Sequence, residues 1–219
     1  MLKENLQKFF KEIENGNNLG EKITLVGATK FVDIERVNQA IDLGLTHIGE
    51  NRAQEFRDKF SLYHPCVKHF IGTLQENKLK YVVGKADIID SVSSIDLAQA
   101  IGKKAEQLGI VQKVMLEINA GEEENKTGAS LKQAKTLYKS IIEQNSLELV
   151  GVMAMLPISD DQEVLATACK NVRDFYDQIK FDTQTLKYLS IGMSGDYKIA
   201  IQNGSNMIRI GSSLFGKRS

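Results

Sequence analysis

A largely apolar run near the amino terminus consists of Ile23-Thr24-Leu25-Val26-Gly27-Ala28-Thr29-Lys30 and ends on a lysine. A run of this length, followed within a few residues by a helical pattern, is typical of a buried parallel strand. Side chains alternate between the two faces of a strand, so Lys30 would share the inward face with Val26 and Ala28. The pattern predicts an amine at the carboxyl end of a central strand.

Two interpretations of Lys30 are open. Proteins built from parallel strands and helices place their chemistry at the carboxyl ends of the strands, which makes Lys30 a candidate nucleophile that forms an imine with a carbonyl ligand. Alternatively, its stem covers apolar surface while its ammonium stays in water. This run alone favours the second interpretation, so the choice depends on the rest of the chain.

Composition describes an ordinary globular protein. The chain has 219 residues, of which 42% are apolar, and this is enough for one large core or two small ones. Basic and acidic residues both number 28, so no charge surplus indicates nucleic acid or a membrane surface as a partner. Residues 1–15 form an amphipathic, charged helical pattern unlike a signal or transit peptide. We expect a cytoplasmic monomer.

Metal sites are not indicated by the cysteines or by the acidic residues. Cys66 and Cys169 lie far apart without zinc-ligand spacing, so we expect two reduced thiols and neither a disulfide nor a metal. The loop over residues 121–128 carries Glu122, Glu123 and Glu124. This acidic run is interpreted as a solvated loop.

Strand-like runs and helical patterns alternate along the whole chain. The predicted strands cover residues 23–30, 46–51, 68–74, 88–92, 112–119, 148–156, 188–194 and 206–211. Eight such units, with two prolines and no linker, predict one (β/α)8 barrel of the TIM type over residues 1–219, preceded by an extra amino-terminal helix. An open doubly wound sheet is the alternative, but no GxGxxG follows the first strand.

Closure of the barrel would bring the first and last strands together. Alternation along the last strand turns Arg209 inward and turns Ile208 and Ile210 toward the helices. Lys30 and Arg209 would then be neighbours about 5 Å apart. The adjacent stretches show no obvious inward acid, so the arginine would bind either a ligand anion or ring nitrogen, or a structural carboxylate.

Small, hydroxyl-rich segments follow the last two predicted strands. They are Gly192-Met193-Ser194-Gly195-Asp196 and Gly211-Ser212-Ser213-Leu214-Phe215-Gly216. Loops at these positions are the usual phosphate site of such barrels, although each segment alone also fits an ordinary turn. Combined with Lys30 and Arg209, they indicate a phosphorylated carbonyl compound as the ligand.

Five segments spread over the chain are distinctive in combination. They are Val26-Gly27-Ala28-Thr29-Lys30, Gly49-Glu50-Asn51-Arg52, His69-Phe70-Ile71-Gly72, Gly192-Met193-Ser194 and Arg209-Ile210-Gly211. Together they resemble the pyridoxal phosphate homeostasis proteins, which are single-domain relatives of the alanine racemase barrel.

This resemblance implies that pyridoxal 5'-phosphate is the cofactor and that it forms an imine, or Schiff base, with Lys30. The other contacts that it implies are Asn51 near the cofactor ring, Arg209 at the pyridine nitrogen, and Ser194, Gly211, Ser212 and Ser213 around the phosphate. Phe31-Val32 departs from the family, which often has a proline-containing turn here. The shape of this loop is therefore open.

Three functions compete for such a site. They are a homeostasis protein that stores the cofactor and passes it to apo-enzymes, an amino-acid racemase, and an aldolase that uses Lys30 on a sugar phosphate. Arginine keeps its proton, so a pyridine nitrogen beside Arg209 stays unprotonated and the cofactor is a poor electron sink. Racemisation also needs a second acid or base, and racemases take it from an added β-domain that this chain is too short to form. His69, the one histidine expected to face inward, is interpreted as a core residue. We therefore expect homeostasis without dedicated catalytic turnover.

Overall fold

The computed structural model describes residues 1–121, 123 and 127–216. In these ranges the strands are β1 Thr24–Ala28, β2 His47–Glu50, β3 Val67–Phe70, β4 Ile88–Val92, β5 Gln112–Asn119, β6 Leu147–Met155, β7 Tyr188–Ile191 and β8 Met207–Ile210. They are parallel and follow one another in chain order, and β8 pairs with β1. The prediction of a closed (β/α)8 barrel is confirmed.

Helices cover the outside of the barrel. They are α1 Leu2–Ile13, α2 Ile34–Asp42, α3 Ala53–Lys59, α4 Leu79–Val82 after a 3-10 turn, α5 Ile95–Gln107, α6 Leu131–Ile142, α7 Gln162–Lys180, α8 Tyr197–Gln202 and α9 Ser212–Phe215. Ser94 and Ser130 accept hydrogen bonds from the free N–H groups at the starts of α5 and α6, and these bonds fix where both helices begin. In the described ranges, no helix combines the length and apolarity needed to cross a membrane.

Helix α1 is fixed against the carboxyl-terminal part of the chain. Its buried side chains are spaced three or four residues apart and form one apolar stripe, namely Leu2, Leu6, Phe9 and Ile13. They share a cluster with Ile208 and Ile210, which confirms that these isoleucines face outward. The Asn5 amide donates to the Leu214 carbonyl oxygen over 3.0 Å, and the Tyr197 hydroxyl donates to Glu12 over 2.6 Å. The extra helix thus supports the segments that follow β7 and β8.

Strands β4 and β5 end where predicted, and the other six, β1 among them, end earlier. The Thr29 N–H still donates to the Gly49 carbonyl oxygen over 2.8 Å, but the strand geometry stops at Ala28. Residues 29–32 form a turn in which the Val32 N–H donates to the Thr29 carbonyl oxygen over 2.9 Å. Lys30 therefore lies in a turn above the rim of the barrel, whereas the prediction placed it on the strand itself.

The two cysteines and the acidic run at residues 122–124 can be compared with their predictions. Cys66 and Cys169 are both free thiols. Glu122 and Glu124 lie outside the described residues. Glu123 accepts a hydrogen bond from the Ile158 N–H over 2.9 Å, so this one acid of the run is tied to the segment after β6.

Gly72 allows the segment after β3 to pass close to the one after β2. A Cβ at this position would overlap the carbonyl oxygen of Asn51. We expect Gly72→Ala to lower the free energy of unfolding by about 1–3 kcal/mol, the usual cost of forcing extra volume into a packed region. Gly195→Ala is the matched control, since a Cβ there meets no described atom within 4 Å. Denaturant unfolding measures both variants, and equal losses would contradict this role of Gly72.

Candidate functional site

A cavity of about 750 Å³ lies at the carboxyl ends of the strands. Six of the seven predicted site residues line it, namely Lys30, Asn51, Ser194, Arg209, Gly211 and Ser212. Ser213 is exposed and is not among the lining residues. A concave site of this size with a few convergent polar groups is suited to a cofactor-sized ligand.

Arg209 forms the deep wall of this cavity. It pairs with Val26, four residues before Lys30, so the expectation that Lys30 and Arg209 are neighbours across the sheet is wrong. Arg209 is only 5% exposed. Its Nη1 donates to the Ser190 carbonyl and hydroxyl oxygens, each over 2.8 Å, and its Nη2 donates to the Ala154 carbonyl oxygen over 3.0 Å. The guanidinium is thus held by residues of β6 and β7.

Acidic side chains do lie inside the barrel, contrary to the sequence-based expectation. Burial lowers the pKa of Arg209, and the charges of Asp90, Asp196 and Glu117 raise it. Glu117 lines the cavity and accepts a hydrogen bond from the Thr127 hydroxyl over 2.7 Å. Burial raises the pKa of Glu117, whereas the Thr127 hydrogen bond and the Arg209 charge lower it. Alternation from the interior residue Met115 could have found Glu117.

A buried polar chain runs below the cavity. His47 Nδ1 lies 2.9 Å from His69 Nε2, and His69 Nδ1 lies 2.8 Å from Asp90 Oδ1. Burial, followed by the neighbouring His69, lowers the pKa of His47 to about 4, so this ring is neutral. None of the three residues lines the cavity. His69 is therefore a core histidine, as interpreted, but it is not the only inward one, because His47 contacts it.

Glu50 connects the rim segments that carry Lys30 and Asn51. Its carboxylate accepts hydrogen bonds from the N–H groups of Asn51 and Arg52, over 2.8 and 3.2 Å, and from the Thr29 hydroxyl over 3.2 Å. Burial raises the pKa of this carboxyl, and the hydrogen bond from Asn51 opposes that shift. Glu50 thereby fixes Asn51 at the cavity and holds the residue next to Lys30.

Small residues and one cation form the corner of the cavity after β7 and β8. Ser194, Gly211 and Ser212 line this corner together with Arg36 from α2. The Arg36 Nη2 donates to the Phe215 carbonyl oxygen over 2.7 Å. Because small side chains leave the backbone accessible, such a corner suits an anion, and Arg36 adds positive charge. Its helical position gave no sequence signal that would have identified it.

Comparison with known proteins first gives the class. The structure is a closed barrel with a lysine after β1 and small, hydroxyl-rich segments after β7 and β8. The family model described as alanine racemase, N-terminal domain, matches residues 4–219 of this chain. The chain is 35% identical over 218 residues to the pyridoxal phosphate homeostasis protein of Aquifex aeolicus, covering 98% of this chain and 94% of that protein. It is 34% identical over 197 residues to that of Helicobacter pylori, covering 88% and 87%. The chain belongs to the pyridoxal phosphate homeostasis protein family.

Solved structures agree with this assignment. PipY of Synechococcus elongatus, solved without pyridoxal phosphate, has a TM-score of 0.88 and 25% identity, covering 99% of this chain and 100% of that chain. PipY has also been solved with pyridoxal phosphate bound, with a TM-score of 0.85, 24% identity and the same coverage. The barrel fold is therefore shared along the whole chain of PipY.

Glu50 generates a pH-dependent prediction. A carboxyl with a raised pKa destabilises the folded state more and more as pH rises from its unfolded-state pKa through its folded-state pKa. Glu50→Gln removes that charge and keeps an acceptor for the two N–H groups. Relative to the wild type, we expect Glu50→Gln to become more stable as pH rises between these two pKa values. Above the folded-state pKa, the difference in the free energy of unfolding should stay constant.

Unfolding at several pH values from about pH 4 to about pH 8 spans this titration and measures the difference. Glu50→Ala is the comparison, because it leaves the N–H groups of Asn51 and Arg52 without the carboxylate that accepts from them. We expect it to be destabilised by about 1–3 kcal/mol at every pH. If Glu50→Gln became less stable relative to the wild type as pH rises, burial would not destabilise the charged form of Glu50.

Proposed function

We propose that this protein binds pyridoxal 5'-phosphate in the cavity at the carboxyl end of the barrel and serves in the homeostasis of that cofactor. The observation that carries the proposal is that Lys30, Arg209 and the small-residue corner around Ser194 line the same cavity. Relatives that share at least 34% of their residues with this chain are named as pyridoxal phosphate homeostasis proteins, which supports the same assignment.

The lining residues match the chemical groups of the cofactor. Lys30 Nζ forms a C=N bond with the aldehyde carbon, and the aldehyde oxygen leaves as water. The corner formed by Ser194, Gly211 and Ser212 holds the phosphate, with Arg36 as a nearby positive charge. Asn51, which follows β2 and lines the cavity, would lie near the ring. When bound, the cofactor supplies the electrophilic aldehyde that makes the link to Lys30.

Arg209 disfavours transamination as the function of this site. Its guanidinium keeps its proton, so it can only donate to the pyridine nitrogen and leaves that nitrogen unprotonated. Three of its hydrogen bonds go to Ser190 and Ala154, which hold it in this orientation. A cofactor with an unprotonated ring nitrogen withdraws electrons weakly, which disfavours transamination.

The racemase alternative requires a second acid or base in the cavity. His69 does not line the cavity and is bonded to Asp90, so it does not fill that role. Glu117 does line the cavity, but Thr127 holds one of its oxygens. Homeostasis through storage and transfer remains the better-supported function.

Transfer of the cofactor requires acceptors, and we infer that these are apo-forms of enzymes that depend on pyridoxal phosphate. The reversible link to Lys30 allows such a transfer, because hydrolysis returns both the free aldehyde and the free amine. A monomeric state and a cytoplasmic location stay predictions. Analytical ultracentrifugation and cell fractionation would measure them.

Lys30 generates the first test of this function. Borohydride should reduce the C=N link and fix one cofactor per chain on Lys30, as peptide mass mapping can determine. Lys30→Ala should abolish the absorbance of the C=N link and should still bind the cofactor, more weakly, through the phosphate corner. Lys78→Ala is the control, because Lys78 does not line the cavity, and this variant should behave as the wild type does. A reduced adduct on any other lysine would show that Lys30 is the wrong residue.

Ser194 generates a second test, with Ser213 as its control. We expect Ser194→Ala to weaken binding of pyridoxal 5'-phosphate by about 0.5–3 kcal/mol, the range for losing a hydrogen bond to a charged group. Pyridoxal without phosphate should bind equally to both forms, and Ser213→Ala should bind the phosphate compound normally. Titration of the absorbance measures all of these affinities. A larger loss in Ser213→Ala than in Ser194→Ala would place the phosphate elsewhere.

A further inference from the structure

The turn that carries Lys30 has an unusual backbone. Its third residue, Phe31, has φ +61°, in the left-handed region, and it is the one described non-glycine residue with a positive φ. Turns with this conformation normally hold glycine at that position, because a Cβ there meets the following carbonyl oxygen. A phenylalanine in such a conformation persists only where its surroundings hold it, and strain of this kind concentrates at functional sites.

Helix α3 holds the turn in place. The Phe31 N–H donates to Glu55 Oε2 over 3.3 Å. Glu55 in turn forms ion pairs with Arg52 and Lys59, at 3.4 and 3.3 Å. The Lys59 ammonium also donates to the Val32 carbonyl oxygen over 2.9 Å. The last two residues of the turn, Phe31 and Val32, are thus fixed by one group of charged side chains.

The ring of Phe31 lies at the mouth of the cavity between two cations. It lines the cavity and is 51% exposed. Lys30 Nζ lies 5.2 Å from the ring centroid, and Arg52 Cζ lies 5.1 Å from it. A cation within about 6 Å of an aromatic face is attracted by the negative charge of that face. The ring of Phe31 is therefore placed to attract the unlinked ammonium of Lys30.

We propose that Phe31 is a positioning residue that holds the free ammonium of Lys30 and thereby favours release of the bound aldehyde. This inference rests on the proposed function, in which Lys30 forms the C=N link. Release consumes one water and one proton: the C=N bond breaks, the water oxygen becomes the aldehyde oxygen, and Lys30 is left as the ammonium. The ring of Phe31 contacts the ammonium, which is present only after release. The contact therefore shifts the equilibrium from the linked cofactor toward the released cofactor.

Three variants of Phe31 test this role. Phe31→Leu removes the aromatic face, and Phe31→Gly removes the side chain while accommodating the positive φ of the turn. Both should bind pyridoxal 5'-phosphate about two- to fivefold more tightly than the wild type, which is the size of an exposed cation–π contact. Phe31→Tyr keeps the aromatic face and should bind as the wild type does. Absorbance titration at one fixed pH measures these dissociation constants.

A ligand without the aldehyde separates this role from direct contact between ring and cofactor. We expect 4-deoxypyridoxine 5'-phosphate, which cannot link to Lys30, to bind equally to the wild type and all three variants. Equal binding of pyridoxal 5'-phosphate by the wild type, Phe31→Leu and Phe31→Gly would overturn the inference. Weaker binding of both ligands by Phe31→Leu would overturn it too, because the ring would then contact the cofactor.

Borohydride trapping of the wild type distinguishes the two levels of failure. If the adduct forms on Lys30 but the affinities of the variants do not change, only the role of Phe31 fails. If no adduct forms on Lys30 in the wild type, the proposed link fails and the role of Phe31 fails with it.

Discussion

Pairing of β8 with β1 is the constraint on which the site depends. It closes the barrel in a register that sets Arg209 opposite Val26 and Thr24 opposite Met207. Because the strands are parallel, closure brings the segments after all of them to one rim. Residues as distant in the chain as Lys30 and Ser194 therefore line one cavity. Helix α1 reinforces the closure from outside, since it packs against Ile208 and Ile210 of β8.

The interior of the barrel changes character along its axis. An apolar cluster fills part of it, namely Val26, Ile88, Met115, Val150, Met153 and Met207. Toward the cavity, Arg209, Asp90 and Glu117 are buried in their place. Within the described part of the chain, Asp90 Oδ2 and Glu117 Oε2 have no hydrogen-bond partner. Buried polar atoms without partners lower stability, and such groups are retained mainly where a ligand or a reaction uses them.

The sequence predicted the barrel because its signals are local. Eight apolar runs alternate with helical patterns. The serines that cap α5 and α6 are also local signals, because serine is a preferred residue at the start of a helix. Alternation along β8 also predicted that Arg209 faces inward. The lysine at the cavity was found for the same reason, since it follows directly on the first apolar run.

Register and long-range contacts were not predictable in this way. Alternation indicates which face a residue is on, but it does not indicate how far one strand is shifted against the next. The expectation that Lys30 and Arg209 are neighbours across the sheet was therefore wrong. Glu117 was missed because it interrupts the apolar run of residues 114–118 in β5. The conformation of Phe31 contradicts its intrinsic preference and is stabilised by Glu55 from a different segment.

Hydrogen–deuterium exchange at the Cα of an added amino acid distinguishes a carrier from a racemase. Loaded protein and L-alanine in D2O, followed by proton NMR and chiral analysis, give both the exchange rate and the configuration. A carrier exchanges its link to Lys30 for the amino acid without measurable loss of the Cα proton or of chirality. Rapid exchange with racemisation, abolished in Glu117→Gln, would contradict the homeostasis function and identify Glu117 as the second base.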